Sequence, residues 1–316
     1  MRVLVAADSI TTLEILLSEM NVRSWPRGTE ARVVSVVDDG DVPLKAWGDE
    51  GYAISAIRRE MRTRGEQITA LAVERLRQIG IPASVVIMRG NPEFLISFAA
   101  RSWPADLILM RAHNRKDFRN RLLGSVAKSV IESAPCSVEV VRASEKADRG
   151  FKVLLATDGS VSSIAASQAL AEMSLPENSE VRVVSVVNPM IYSLEELGLT
   201  GGTGTDHAHR AIGKAVQVLS GAPLRISAEV IAGGAARQIV ARAKHWGADL
   251  IVLGTKERRG LSRLLFGSTS AVVANRAHCS VRIIRSKDVS RTGHSVSGRL
   301  KTVHSAERLQ EQRKAA

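Results

Sequence analysis

Cysteine is scarce. The 316 residues contain two, too few for a disulfide framework, and that usage fits a reducing compartment. Aromatic residues make up 3% of the chain, which excludes a surface built from base-stacking platforms. No run of apolar residues approaches the roughly 20 that a membrane helix needs. The opening MRVLVAADS lacks the basic stretch, apolar core and cleavage site of a secretory leader. A soluble cytoplasmic protein with no membrane partner is expected. Catalytic signatures are missing too: no G-x-S-x-G, no H-E-x-x-H and no G-x-x-x-x-G-K-[ST] occurs. With no clear general base, a binding protein is expected rather than an enzyme.

What is present is a repeat. VLVAADS at 3–9 matches VLLATDGS at 153–160, and RVVSVVD at 32–38 matches RVVSVVN at 182–188, both at an offset of 150. Further on the offset is 143. ARSWPADLIL at 100–109 then matches AKHWGADLIV at 243–252, LLGS at 122–125 matches LFGS at 265–268, and CSVEVVR at 136–142 matches CSVRIIR at 279–285. Order is kept throughout, so one unit is written twice. The first copy is longer by seven residues between its second strand and third helix, where Trp47, Asp49, Glu50 and Tyr52 lie. The organisation expected is a first domain over 1–142, a polar linker over 143–150, a second domain over 151–286 and a basic, disordered tail over 287–316.

Each copy alternates short β-branched runs with longer helical patterns. In the second copy strands are expected at 153–157, 180–187, 225–231, 249–254 and 280–285, with helices at 160–173, 208–220, 235–246 and 268–277. The strands are near-continuous apolar runs, the mark of a parallel sheet buried on both faces. The fold class is therefore α/β: two tandem, doubly wound, Rossmann-like sheets of five parallel strands with right-handed crossovers.

Such sheets bind ligands beyond the carboxyl ends of their strands, where strand order reverses. Two segments of the second copy should meet there: Ala156-Thr157-Asp158-Gly159-Ser160 after its first strand, and the run from Gly254 through Lys256 to Gly267-Ser268-Thr269-Ser270 after its fourth. Glycine lets a backbone approach an anion, and a helix N-terminus supplies free N–H groups. Lys256, Arg258, Arg259 and Arg263 face one acid, Glu257, in the loop. Read without a ligand, Ser268 is a helix cap and the arginines are a solvated face.

These residues resemble the universal stress protein family in its tandem form. The family pattern is Gly, two residues, Gly, nine residues, Gly, then Ser or Thr. Here it reads Gly254, Glu257, Gly267, Ser268. The resemblance also takes in the aspartate in VLLATDGS and the closing HCSVRIIR, and it covers both copies but not the tail. It implies an adenine-nucleotide-binding stress-response regulator of the adenine-nucleotide alpha-hydrolase-like class, with ATP, and Mg2+ beside it, in the second domain. Ala156, Thr157 and Asp158 would line the adenosine pocket, and Val186 would pack on the base. Gly254, Lys256, Gly267, Ser268, Thr269 and Ser270 would hold the ribose and phosphates. Glu257 departs from the pattern: a carboxylate there repels an anion unless it points outward or holds Mg2+, and Lys256 and Arg258 offset it. In the first copy Arg111 and Asn114 replace the two early glycines while Gly124 and Ser125 remain, so nucleotide binding in the family manner is not expected there. The resemblance also implies pairing through last strands. Two copies in one chain can make that pair internally, through 137–141 and 281–284, an intramolecular pseudo-dimer to which a homodimer could be added.

Other signals carry less. The glycines at 198–204 follow the second strand and read as a flexible loop over the site, not a dinucleotide fingerprint. His207 and His209 lack further ligands, so no metal site is expected. Cys136 and Cys279, like Trp103 and Trp246, are equivalent positions that read as packing. The net charge is +12. Part of it sits on 111–121, five basic residues against one acid, and on 287–316, seven against three. No nucleic-acid motif accompanies it. A second functional reading, from another class, is a nucleotide-independent interaction module with degenerate pockets that meets acidic partners through its basic loops.

Overall fold

The computed structural model describes residues 1–37, 50–112, 123–142, 150–199, 203–255 and 267–285. The linker at 143–149, the tail beyond 285 and the loop holding Lys256 and Glu257 lie outside the described residues, as do Asn114 and the basic residues of 113–122. The first half runs β1 (Arg2–Ala6), α1 (Ile10–Asn21), β2 (Glu30–Val37), α2 (Glu50–Gln78), β3 (Ala83–Arg89), α3 (Pro92–Ser102), β4 (Leu107–Arg111), α4 (Ser125–Ser133) and β5 (Ser137–Val141). The second runs β6 (Lys152–Ala156), α5 (Val161–Ala171), β7 (Glu180–Val187), α6 (Pro189–Glu196), α7 (Thr203–Leu219), β8 (Arg225–Ala232), α8 (Ala235–Trp246), β9 (Leu250–Thr255), α9 (Ser268–Arg276) and β10 (Ser280–Arg285).

The two five-stranded sheets join through their last strands, as expected, into one ten-stranded sheet of order β3-β2-β1-β4-β5-β10-β9-β6-β7-β8. Every pair within a half is parallel. The seam, β5 against β10, is antiparallel, with Val281, Arg282 and Ile283 opposite Val140, Glu139 and Val138. Pairing hides two apolar edges that would otherwise be open to other chains.

The central strands are buried on both faces, which is why they read as unbroken apolar runs. One core runs across the seam under α3, α4, α8 and α9. The opposite face carries two separate cores, one under α1 and α2 and one under α5 and α7. Helix ends follow local chemistry. Ser160 caps α5 by accepting from Ser163 N–H, Asn91 caps α3 ahead of Pro92, and α8 stops at Gly247 in the left-handed region, φ 69°. Trp103 and Trp246 sit partly buried on the shared core, each under two cationic side chains. The Arg32 and Arg182 guanidiniums lie 4.6 and 4.4 Å from the ring centroids.

Two features differ from expectation. The extra residues of the first copy lengthen a helix: α2 has 29 residues where α7 has 17. The stretch after β7 is partly helical, since Asn188 caps α6 with Pro189 in its first turn, a pairing favoured at helix starts. Of the glycines read as a loop, Gly198 makes a left-handed turn and Gly204 already lies in α7; 200–202 are outside the described residues. Glu195 ties the two helices by accepting from the N–H groups of Gly204 and Thr205 at 2.5 and 3.1 Å.

Candidate functional site

In the second half the strand order reverses between β6 and β9, and a cleft of about 250 Å³ opens there. Its apolar wall includes Ala156, Val184, Val186, Ile239 and Leu253, and its polar wall is made largely of hydroxyls. Nine of the ten residues singled out from sequence line it: Ala156, Thr157, Asp158, Val186, Gly254, Gly267, Ser268, Thr269 and Ser270. The tenth, Lys256, falls outside the described residues. Asp158 is the one ionisable side chain among the described lining residues.

The loop after β6 is held tightly. Thr157 Oγ1 donates to Ser163 Oγ at 3.2 Å and accepts from Gly159 N–H at 3.3 Å. An Asp158 carboxylate oxygen accepts from Ser160 N–H at 3.0 Å and from the Ser160 hydroxyl. Gly159 adopts φ 74°, and a Cβ there would lie 3.1 Å from the Ala211 methyl of α7, so only glycine passes this turn without strain. Ser160, Ser162 and Ser163 also line the cleft. Ser160 ends the first segment expected there, whereas Ser162 and Ser163 were not singled out from sequence, although SVSS at a helix start is a capping signal.

Two helix N-termini converge on the cleft. The first turns of α8, through Ala235, and of α9, through Ser268 to Ser270, line it. Both helices have glycine at the cap, Gly234 and Gly267, with no side chain bonded to the first-turn N–H groups. Such groups have no intrahelical acceptor and carry the positive end of the helix dipole. The Ser270 hydroxyl donates to the Gly267 carbonyl at 2.9 Å, so it fastens the turn, while Ser268 and Thr269 stand at its start. Gly254 takes an unforeseen part. A Cβ there would lie 2.1 Å from the Ser162 carbonyl oxygen, so its bareness seats α5 on β9.

The first half is built differently at the same places. Asn91, aligned with Gly234, caps α3 by accepting from the N–H groups of Glu93 and Phe94 at 2.7 and 3.3 Å. Arg111 replaces Gly254 at the end of β4. Arg64 of α2 donates to the Val36 carbonyl at 3.2 Å, beside the strand end that corresponds to Val186. The aspartates are less alike than their motifs suggest. Asp8 directly precedes the cap Ser9, whereas Asp158 is separated from Ser160 by Gly159. One Asp8 carboxylate oxygen is consequently buried with no hydrogen-bond partner.

Cys136 and Cys279 are both buried. Burial pushes the Cys279 thiol up to about 12, so it stays protonated and unreactive. Neither thiol should react with a disulfide reagent within an hour in the native protein at pH 8, and both should titrate in guanidinium, as absorbance at the release of the leaving thiolate would show. No cluster of three or more metal-ligating side chains is found among the described residues, and none of their helices is long and apolar enough to cross a membrane.

A doubly wound sheet with an apolar-walled, hydroxyl-rimmed cleft at its switch point defines a Rossmann-like α/β protein. The universal stress protein family model matches residues 1–142 and again 151–285. The chain belongs to that family, as a tandem of two copies. A universal stress protein of Methanocaldococcus jannaschii is 30% identical over 138 residues, 42% of this chain and 81% of that one. The crystal structure of a universal stress protein from Archaeoglobus fulgidus matches with a TM-score of 0.64 at 20% identity, covering 90% of this chain and 98% of that one. A functionally unknown protein of Pseudomonas aeruginosa matches with a TM-score of 0.56 at 17% identity, covering 92% and 94%. At these identities the likeness to the two solved structures concerns the fold.

Proposed function

We propose that the second half binds an adenine nucleotide, ATP with Mg2+, and that the bound state acts as a signal in a stress response rather than as a step in metabolism. The observation that carries this reading is the convergence of two uncapped helix N-termini, α8 and α9, on one cleft. Phosphate is the ligand group such termini favour. Val184, Val186, Ile239 and Leu253 offer the apolar wall a base requires. At about 250 Å³ the cleft is just below the roughly 300–1,000 Å³ of small-molecule sites. It suits a nucleoside with its phosphates at the open rim. Mg2+ is commonly held by one or two carboxylates and by substrate phosphates, and Asp158 is the carboxylate at hand. The first half is a structural or regulatory partner, with its α3 terminus closed by Asn91.

Calorimetric titration and thermal shift with ATP and Mg2+ test this on the wild type and on Gly267→Glu. A Cβ at Gly267 meets nothing closer than the Ser270 hydroxyl at 3.4 Å, so the variant should fold while placing a carboxylate at the phosphate end. The wild type should bind, with stabilisation of about 2.7 kcal/mol once ligand reaches a hundred times Kd, and Gly267→Glu should lose both signals. Gly234→Asn, which copies the Asn91 cap, should weaken binding while leaving the ligand-free protein slightly more stable. If the wild type does not bind at millimolar ATP, the nucleotide reading fails, and the interaction module, supported by the closed-off first half, takes its place.

A further inference from the structure

The seam between the halves has an approximate two-fold axis. In antiparallel register Arg282 faces Glu139, and these two residues occupy the same place in CSVRIIR and CSVEVVR, so the axis passes between them. The flanking contacts obey the axis. Arg142 donates to the Ala274 carbonyl at 2.5 Å, and its counterpart Arg285 donates to the Ile131 carbonyl at 2.9 Å. Each thus satisfies the carboxyl end of the other half's last helix. Arg142 N–H donates to Ser280 Oγ at 3.1 Å, and Arg285 N–H donates to Ser137 Oγ at 3.2 Å. Ser24 and Ser174, also counterparts, form an antiparallel bridge. All these contacts would be available if either half paired with a copy of itself.

The centre breaks the symmetry. Glu139 is fully buried and Arg282 is 6% exposed. Arg282 Nε donates to one Glu139 oxygen at 2.5 Å, and Arg23 donates to both carboxylate oxygens at 2.5 and 3.2 Å. Arg23 comes from the first half; its counterpart is Met173. The first half therefore brings two carboxylates, Glu139 and Glu19 (the latter 3.7 Å from Arg23), to one guanidinium, and the second brings a guanidinium with no carboxylate. Pairing two second halves would set Arg282 against Arg282 without a carboxylate. Pairing two first halves would set Glu139 against Glu139 with one guanidinium each instead of two.

We infer that the seam is a selective interaction surface: Glu139 and Arg282 make each last strand fit the other half and reject a copy of itself. A buried ion pair is weak evidence for stability, and fixing which partner is accepted is its best-attested use. Discrimination here comes as much from the repulsion built against the wrong pairing as from attraction in the right one. The selection matters because the chain carries two nearly identical apolar edges, and like-with-like pairing between molecules would string chains together.

The test uses full-length chains on an Arg23→Met background that also carries Glu19→Ala, copying Met173 and Ala169 and leaving the Glu139–Arg282 pair alone at the centre. Adding Arg282→Glu gives one chain with two carboxylates at the seam, and adding Glu139→Arg gives another with two guanidiniums. Each alone should lose thermal stability relative to that background. Mixed in equal amounts, they should form a complex of one chain of each kind, visible by native mass spectrometry as a doubling of the 34.1 kDa mass. Two differently tagged samples of the background chain should not exchange. A third chain with both reversals should recover the melting temperature of the background chain, and it decides the matter if the single reversals do not fold. A mixture that shows only its components, or a doubly reversed chain no better than the single reversals, would overturn the inference.

Discussion

Replacing Glu139 by glutamine is expected to destabilise the protein by about 3–5 kcal/mol at neutral pH, the usual cost of removing one partner from a buried ion pair. The glutamine keeps the shape but leaves Arg282 buried without its counter-charge and Arg23 with Glu19 alone, at 3.7 Å. Because Glu139 lies at the centre of the seam, the loss should be felt in both halves. Denaturant unfolding would show it as a lower midpoint.

The same residue dictates a pH dependence. Burial alone would raise the Glu139 carboxyl, but the Arg23 and Arg282 guanidiniums outweigh burial and hold it at about 2, below its ordinary 4.5. A carboxyl with a depressed pKa in the folded state stabilises the fold above its unfolded pKa, and that stability is lost as pH falls toward the folded value. The wild type should therefore lose about 3 kcal/mol from this group between roughly pH 5 and pH 2, at 1.36 kcal/mol per pKa unit. Glu139→Gln, already without it, should show a correspondingly shallower acid limb. An equally steep limb in the variant would remove Glu139 from the account.

Most of the fold could be read from the chain because the repeat is nearly literal. Matching segments fix the order of strands and helices twice, and buried parallel strands announce themselves as unbroken apolar runs. The lining of the cleft was legible for a related reason. Switch-point geometry places the ends of the first and fourth strands together whatever the sequence, so VLLATDGS and the Gly267-Ser268 turn had to meet. What was not legible depended on partners. The pairing of 137–141 with 281–284 was expected from the family resemblance, and the difference between Glu139 and Arg282 is visible in CSVEVVR and CSVRIIR, but nothing in either segment sets the register that puts the two side by side. Asp8 and Asp158 share a motif, yet the single residue Gly159 moves the helix cap and leaves them in different surroundings. The α6 start, Asn188-Pro189, was a readable signal obscured by the glycines that follow it. Gly254 was identified by position, but its packing against α5 belongs to a contact made across nearly a hundred residues of sequence.

That contact makes Gly254→Ala the second large expected effect. The added methyl carbon would lie 2.1 Å from the Ser162 carbonyl oxygen, 2.3 Å from the carbonyl carbon and 2.8 Å from Ser163 N. All three are backbone atoms in the first turn of α5, so no side chain can turn aside to make room. Either α5 lifts from β9 or β9 bends away from its neighbours. Overpacking of a well-filled interior costs about 1–3 kcal/mol, and a rigid backbone obstacle places this case at the upper end. For a chain of 316 residues, at about 2.1 cal/mol/K of unfolding entropy per residue, that corresponds to a fall in Tm of roughly 4–5 °C. Lifting α5 also displaces Ser160, Ser162 and Ser163, which line the cleft, so the thermal response to ATP should disappear with the stability. Gly267→Glu should differ by losing the response at nearly unchanged Tm, because its Cβ meets no backbone atom so closely. Measuring both variants side by side separates a glycine that seats a helix from one that admits a ligand. If Gly254→Ala keeps the wild-type Tm, the close seating of α5 on β9 is wrong.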